Sequence, residues 1–212
     1  MTTELPVHDS LYVVGSEDIY RNDEWWKSVV RYRFDPDDDH SEVAVYLWHN
    51  DDGWTRKNKY VIKTTDAWVT DKSIIDQLFS TASDGQSEGE FPTSDYYSLA
   101  AGETVFRSDG WWKAIVKIAQ KGSYETEEVM VYLWQEVDGD WRRRQKYTIK
   151  SEGSWQDESE IIESVLDLDA QQTERQSMTT GTSTESGGSE SQIGEIEQLS
   201  RELDAHLSEN RT

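Results

Sequence analysis

From Trp25 to Phe34 the side chains alternate in the manner of a strand, with Trp25, Lys27, Val29 and Arg31 on one face and Trp26, Ser28, Val30 and Tyr32 on the other. A strand around Asp18 to Arg21 precedes it across an Asn22-Asp23 turn. Glu42 to Trp48 and Trp54 to Lys63 follow, joined at Asp52-Gly53. After Thr70-Asp71, the apolar stripe Ile74, Ile75, Leu78, Phe79 predicts a short amphipathic helix, with Trp68 ahead of it. The unit reads β-β-β-β-α. Its helix is expected to cover one sheet face, because helix and meander each have a single apolar side to bury.

The whole pattern then returns. All ten tryptophans fall into two sets of five, Trp25, Trp26, Trp48, Trp54, Trp68 and Trp111, Trp112, Trp134, Trp141, Trp155, offset by 86 residues and by 87 after an insertion near Asp140. Val43 to Trp48 recurs as Val129 to Trp134, and Lys59-Tyr60 as Lys146-Tyr147. The second set of strands is Thr104 to Arg107, Trp111 to Ala119, Glu128 to Gln135 and Trp141 to Lys150, with a turn at Asp138-Gly139. Its helix carries Ile161, Ile162, Val165 and Leu166 after Asp157. The chain is an internal duplication of the α+β class. Its expected organisation is an N-terminal arm (1–10), a ββββα repeat (11–80), a linker (81–96), a second repeat (97–168), a disordered acidic linker (169–191) and an amphipathic helix (192–212). That last helix has a narrow apolar seam, Ile193, Ile196, Leu199, Leu203 and Leu207, suited to docking or pairing with a protein partner.

Composition changes the picture mainly through charge. A net charge of −22 suits concentrated salt and is read as adaptation to molar potassium chloride, not as a partner signal. The absence of Cys rules out disulfide frameworks and thiolate zinc sites, and four scattered His argue against a histidine metal site. The Asp35 to His40 loop lacks the Gly and distal Glu of an EF-hand and has no counterpart in the second copy. No metal and no cofactor are expected. The N-terminal residues lack a basic segment followed by an apolar one, and no apolar run approaches the roughly 20 residues that span a bilayer. A cytoplasmic protein without membrane partners is expected.

Against this acidity, two segments stand out as basic. Residues 54–63 hold four basic side chains and 141–150 hold five, with no acid in either. Strict alternation would place Trp54, Arg56, Asn58, Tyr60 and Ile62 on one face of the fourth strand, and Lys57 and Lys59 on the other. On the second strand the apolar Trp26 and Trp112 faces are assigned to the helix. Trp25, Lys27, Arg31 and Trp111, Lys113, Lys117 then form a half-exposed cationic surface beside Arg142, Arg143, Arg144 and Lys146. Such a surface suits single-stranded nucleic acid, whose unpaired bases stack on aromatics. Trp26, Trp68, Trp112 and Trp155 are read as core, whereas Trp25, Trp48, Trp54 and their mates fit either core or surface. A solvated or edge-guarding role for the basic strands is the plainer alternative.

The order β-β-β-β-α, with Val-Tyr-Leu-Trp, an Asp-Gly turn, the basic strand Trp141-Arg-Arg-Arg-Gln-Lys-Tyr147 and Thr-Ile-Lys before the helix, resembles the positive-coactivator and Whirly group of single-stranded-DNA-binding proteins. The resemblance covers residues 17–80 and 103–167. It departs in one respect, since the tryptophan that often lies within their helix is read here as preceding it, at Trp68 and Trp155. The resemblance implies paired ββββα units, here a pseudo-dimer within one chain, laying strands across a nucleic-acid channel. It implies contacts from Lys27, Arg31, Arg56, Lys57, Lys59, Lys113, Lys117, Arg142, Arg143, Arg144 and Lys146, with Trp54 and Trp141 stacking on bases. No Ser-His-acid arrangement or phosphate loop repeats between the copies, so a non-enzymatic strand-binding protein is expected. The competing readings are an interaction adaptor that works through the C-terminal helix, and a sugar-binding module with tryptophan platforms.

Overall fold

Each half of the chain folds into an antiparallel meander because every connection within it is short and the turn residues permit reversal. In a computed structural model that describes residues 4–81, 91–94, 96–120 and 127–177, the elements are β1 (Tyr12–Arg21), β2 (Trp25–Arg33), β3 (Glu42–Asn50), β4 (Trp54–Ile62), α1 (Thr65–Ser80), β5 (Tyr97–Ser108), β6 (Trp111–Gln120), β7 (Glu127–Val137), β8 (Asp140–Ile149) and α2 (Glu152–Ser177). The strands form two four-stranded antiparallel sheets, β1-β2-β3-β4 and β5-β6-β7-β8, and a helix follows each. Asp52 and Gly53, like Asp138 and Gly139, have positive φ, as a tight hairpin turn of this hand requires. The described residues include no helix long and apolar enough to cross a membrane.

Several boundaries differ from those expected. Both helices start earlier than their apolar stripes suggest. Thr64 caps α1 by accepting from the Ala67 N–H at 3.1 Å, so Trp68 lies inside the helix, as Trp155 does in α2. The second helix continues to Ser177, past the expected end of its repeat at 168, so 169–177 is helical and not a disordered linker. Ile193, Ile196, Leu199, Leu203 and Leu207 lie outside the described residues, as does 178–191.

Both faces of each sheet are covered. The inner faces carry Val29, Val43, Val45, Tyr60 and Ile62 of one repeat and Ile115, Val129, Val131, Tyr147 and Ile149 of the other, packed with both helices into one core. The outer face of the first sheet buries Trp26, Val30, Tyr32, Tyr46 and Trp48 beneath Leu5, Val7 and Leu11. That of the second buries Trp112, Val116, Ile118, Tyr132 and Trp134 beneath Phe91, Tyr97 and Leu99. The arm and the end of the linker are therefore equivalent straps that belong to the repeat. Leu5-Pro6 matches Phe91-Pro92, and the Val7 N–H donates to the Leu5 carbonyl at 2.8 Å as the Thr93 N–H does to that of Phe91 at 2.7 Å.

The second strap needs a glycine beneath it. A Cβ on Gly102 would stand 2.7 Å from Phe91 Cε2 and 3.1 Å from Val116 Cγ1. Gly102→Ala is expected to lower stability by about 1–3 kcal/mol through overpacking. Urea unfolding would show it as a lower midpoint with an unchanged slope.

The helices cross between repeats. α1 lies against β5, β6 and β7 of the second sheet as well as against β4. α2 in turn reaches the first sheet, where Ser164 donates to Glu17 at 2.8 Å and Glu158 takes Lys27. No basic residue sits in the last turn of α1, and Lys117 of β6 donates to the Thr81 carbonyl there at 2.8 Å.

Candidate functional site

The expected surface of β2 and β6 is inverted. Lys27 and Lys117 are each 4 % exposed and Arg31 is 2 % exposed, because their face is the one that meets the opposite helix. Lys27 donates to Glu158 at 2.5 Å and to the Thr148 carbonyl at 3.2 Å. Lys113 meets Asp71 at 2.5 Å, Lys117 meets Glu127 at 2.8 Å, and Arg31 Nε donates to Ser41 at 2.7 Å. Trp25 and Trp111 are half-buried on the same faces, and Trp25 rests on His49 at 4.4 Å between centroids. Lys27, Lys113 and Lys117 thus serve the junction between repeats, whereas Arg31 bonds within its own repeat. Acids inside the helical stripes, Asp71 and Glu158, were the available sign.

Each buried carboxylate has two donors from two elements. Tyr147 donates to Glu158 at 2.5 Å and Tyr60 to Asp71, while burial and the neighbouring carboxylate raise both phenols well above their ordinary pKa. The two sets are equivalent positions of the repeat. Tyr60 and Tyr147 stack face to face at 5.1 Å, and Trp68 meets Trp155 at 5.5 Å.

Strict alternation fails on β4 and β8. Leu47 pairs with Asn58 but Trp48 pairs with Arg56, so Lys57 is an extra residue in a bulge, and Arg144 is its equivalent between Gln145 and Arg143. The bulge moves Trp54 and Arg56 to the outer face, where Lys59 lies by alternation, while Asn58, Tyr60 and Ile62 stay inside. Trp54 and Trp141 are half-buried, edge-on to Trp26 and Trp112 at 5.5 and 5.6 Å. Arg21 and Arg107 cap these pairs, 3.9 Å above Trp26 and 4.2 Å above Trp112. Lys59 lies 4.7 Å over Tyr32, and Lys146 lies 5.8 Å over Tyr132. Arg56, Lys57, Arg142 and Arg143 are exposed, and Arg144 is half-buried, its Nε donating to Gln135 at 2.8 Å.

Burial pushes the Lys59 ammonium down to about 8, with Glu42 opposing and Arg56 adding to the shift. Between that value and the ordinary 10.5 the unfolded chain binds more protons at this site than the folded one, so stability from Lys59 rises with pH across this window. Lys59→Met is expected to remove that rise, which paired thermal melts at the two ends of the window would detect.

The two basic strands lie side by side. Gln145 of β8 accepts from the Val61 N–H of β4 at 2.9 Å, Tyr60 stacks on Tyr147, and Asn58 shares a cavity with Thr148. Rising numbers on β4 thus meet falling numbers on β8. This antiparallel approach turns the Arg56-Lys57 end of β4 toward Lys150 and the Arg142 to Arg144 end of β8 toward Lys63. Nine of the chain's 21 Lys and Arg residues fall on these two acid-free segments. The chain matches no protein-family model, no curated protein and no solved structure.

Proposed function

We propose that the protein is a non-enzymatic binder of single-stranded nucleic acid, DNA or RNA, and that its two ββββα repeats act together as a pseudo-dimer. The observation that carries this reading is the adjacency of β4 and β8, which brings the acid-free basic segments 54–63 and 141–150 to one seam of a strongly acidic molecule. The sequence resemblance to the positive-coactivator and Whirly group, carried by the order of elements and the basic strand from Trp141 to Tyr147, points the same way. The contact set is narrower than the full group of basic positions. Arg56, Lys57, Arg142 and Arg143 remain open to a phosphate backbone, with Arg144, Lys59, Lys146 and the edges of Trp54 and Trp141 beside them. Lys27, Arg31, Lys113 and Lys117 hold the platform instead of touching the strand.

Fluorescence anisotropy of a labelled oligothymidylate across a potassium chloride titration tests the reading. Binding that weakens log-linearly with salt, and that exceeds binding to a duplex of equal length, is expected. Absence of binding at every salt concentration overturns it.

A further inference from the structure

The junction between repeats is not symmetric. Gln145 commits its side-chain amide to the Val61 N–H, but its equivalent, Asn58, is one methylene shorter and has no side-chain hydrogen bond among the described residues. On the Asn58 side a cavity of about 230 Å³ opens between the repeats. Ile19 and Leu47 form apolar walls, the Lys27–Glu158 pair lines it, and Lys150 comes from the adjoining strand end. Tyr20 also lines the cavity yet stays 43 % exposed, so its ring stands between cavity and solvent. The equivalent position in the second repeat is Phe106, 38 % exposed, so an aromatic is presented at the same strand position twice.

These features define a guest. The volume falls below the roughly 300–1,000 Å³ typical of pockets for drug-sized ligands, which limits it to a single ring system. Lys27 is already neutralised by Glu158, and Lys146, Lys150 and Asp157 complete the charged part of the lining. Among the polar lining, Asn58 presents a donor and an acceptor side by side and Asp157 adds a carboxylate, while Ile19 and Leu47 give apolar walls with an aromatic at the mouth. We propose that this cavity receives one nucleobase. Asn58 would pair with the base edge in the bidentate way that suits Asn to adenine, and Tyr20 would stack on the ring. Lys150, 69 % exposed at its side chain, lies on the same lining, with its ammonium paired to the buried Glu128 at 2.5 Å. This rests on the strand-binding reading, since the base enters from a backbone that follows β4 and β8.

Anisotropy with a base-bearing oligonucleotide and with an abasic strand of the same length separates the two ideas. Asn58→Leu and Tyr20→Ala are each expected to weaken binding of the base-bearing strand about 5- to 100-fold. Both should leave binding of the abasic strand unchanged. Melting curves of both variants confirm the fold. Wild-type affinity of both variants for the base-bearing strand overturns the cavity's role and leaves strand binding intact. Failure of the wild-type protein to bind either strand overturns strand binding and the base pocket with it.

Discussion

Replacing Lys27 by Met should cost about 3–5 kcal/mol of stability, because Glu158 would be left buried with one hydroxyl donor in place of an ammonium and a hydroxyl. Both partners are 5 % exposed at their side chains, so water cannot replace the lost charge. Burial lowers the Lys27 pKa and Glu158 opposes that shift, so the pair depends on its own contact to stay ionised. Lys113→Met should act in the same direction on Asp71, whose second oxygen already lacks a partner among the described residues. The double variant Lys27→Met with Glu158→Leu should recover most of the loss, since an apolar pair in place of a buried ion pair is often neutral or stabilising. Denaturant unfolding at constant potassium chloride measures all four proteins. A loss below about 1 kcal/mol for Lys27→Met would show that the junction does not rely on the pair. Lys27 belongs to β2 and Glu158 to α2, so the expected transition is a single one that includes both repeats.

Changing Arg142, Arg143 and Arg144 together to Ala should produce the largest loss of strand binding. The exposed Arg142 and Arg143 contribute about 0.7 each to the slope of log affinity against log salt for a single strand, so the slope should fall by at least about 1.4. The variant should differ most from wild type at low salt and least in molar salt, where counterion release is weak. Arg56→Ala with Lys57→Ala should lower the slope by about 1.4, the value for two contacts. The nearest competing partner of Arg142 is Asp138 at 3.8 Å on an exposed turn, too weak a pairing to withhold it. Equal slopes for the triple variant and the wild type would remove β8 from the interface. Stability should change little, because Arg142 and Arg143 are exposed and Arg144 occupies a bulge outside the ladder.

Particular residues explain what could be read in advance. The Asp52-Gly53 and Asp138-Gly139 turns, the strand cores after Trp25 and Trp111, and the order of elements follow from local chemistry that acts over a few residues. Core roles for Trp26, Trp68, Trp112 and Trp155 were legible from apolar spacing. The face covered by each helix was not, because β2 has a buried face on either side and alternation cannot rank them. Leu5-Pro6 and Phe91-Pro92 were a repeat signal for the straps, but too short to separate from arm and linker. Lys27 and Lys113 read as surface because the acids that neutralise them are 131 and 42 positions away.

By itself the sequence determined the duplication, the meander and helix in each copy, and the concentration of basic charge on β4 and β8. Hydrophobic period, turn chemistry and composition are all local properties, and the repeat wrote them twice. Tertiary structure alone decided which cations are exposed. Bulges at Lys57 and Arg144 shift the alternation by one, and helices that cross between repeats bring distant carboxylates onto Lys27 and Lys113. The cavity beside Asn58 lies at a junction of two sheets and a helix, where Asn58 makes no bond equivalent to that of Gln145. Such a difference gains meaning only when both copies are folded against each other, since burial and pairing depend on what the rest of the chain places opposite each side chain.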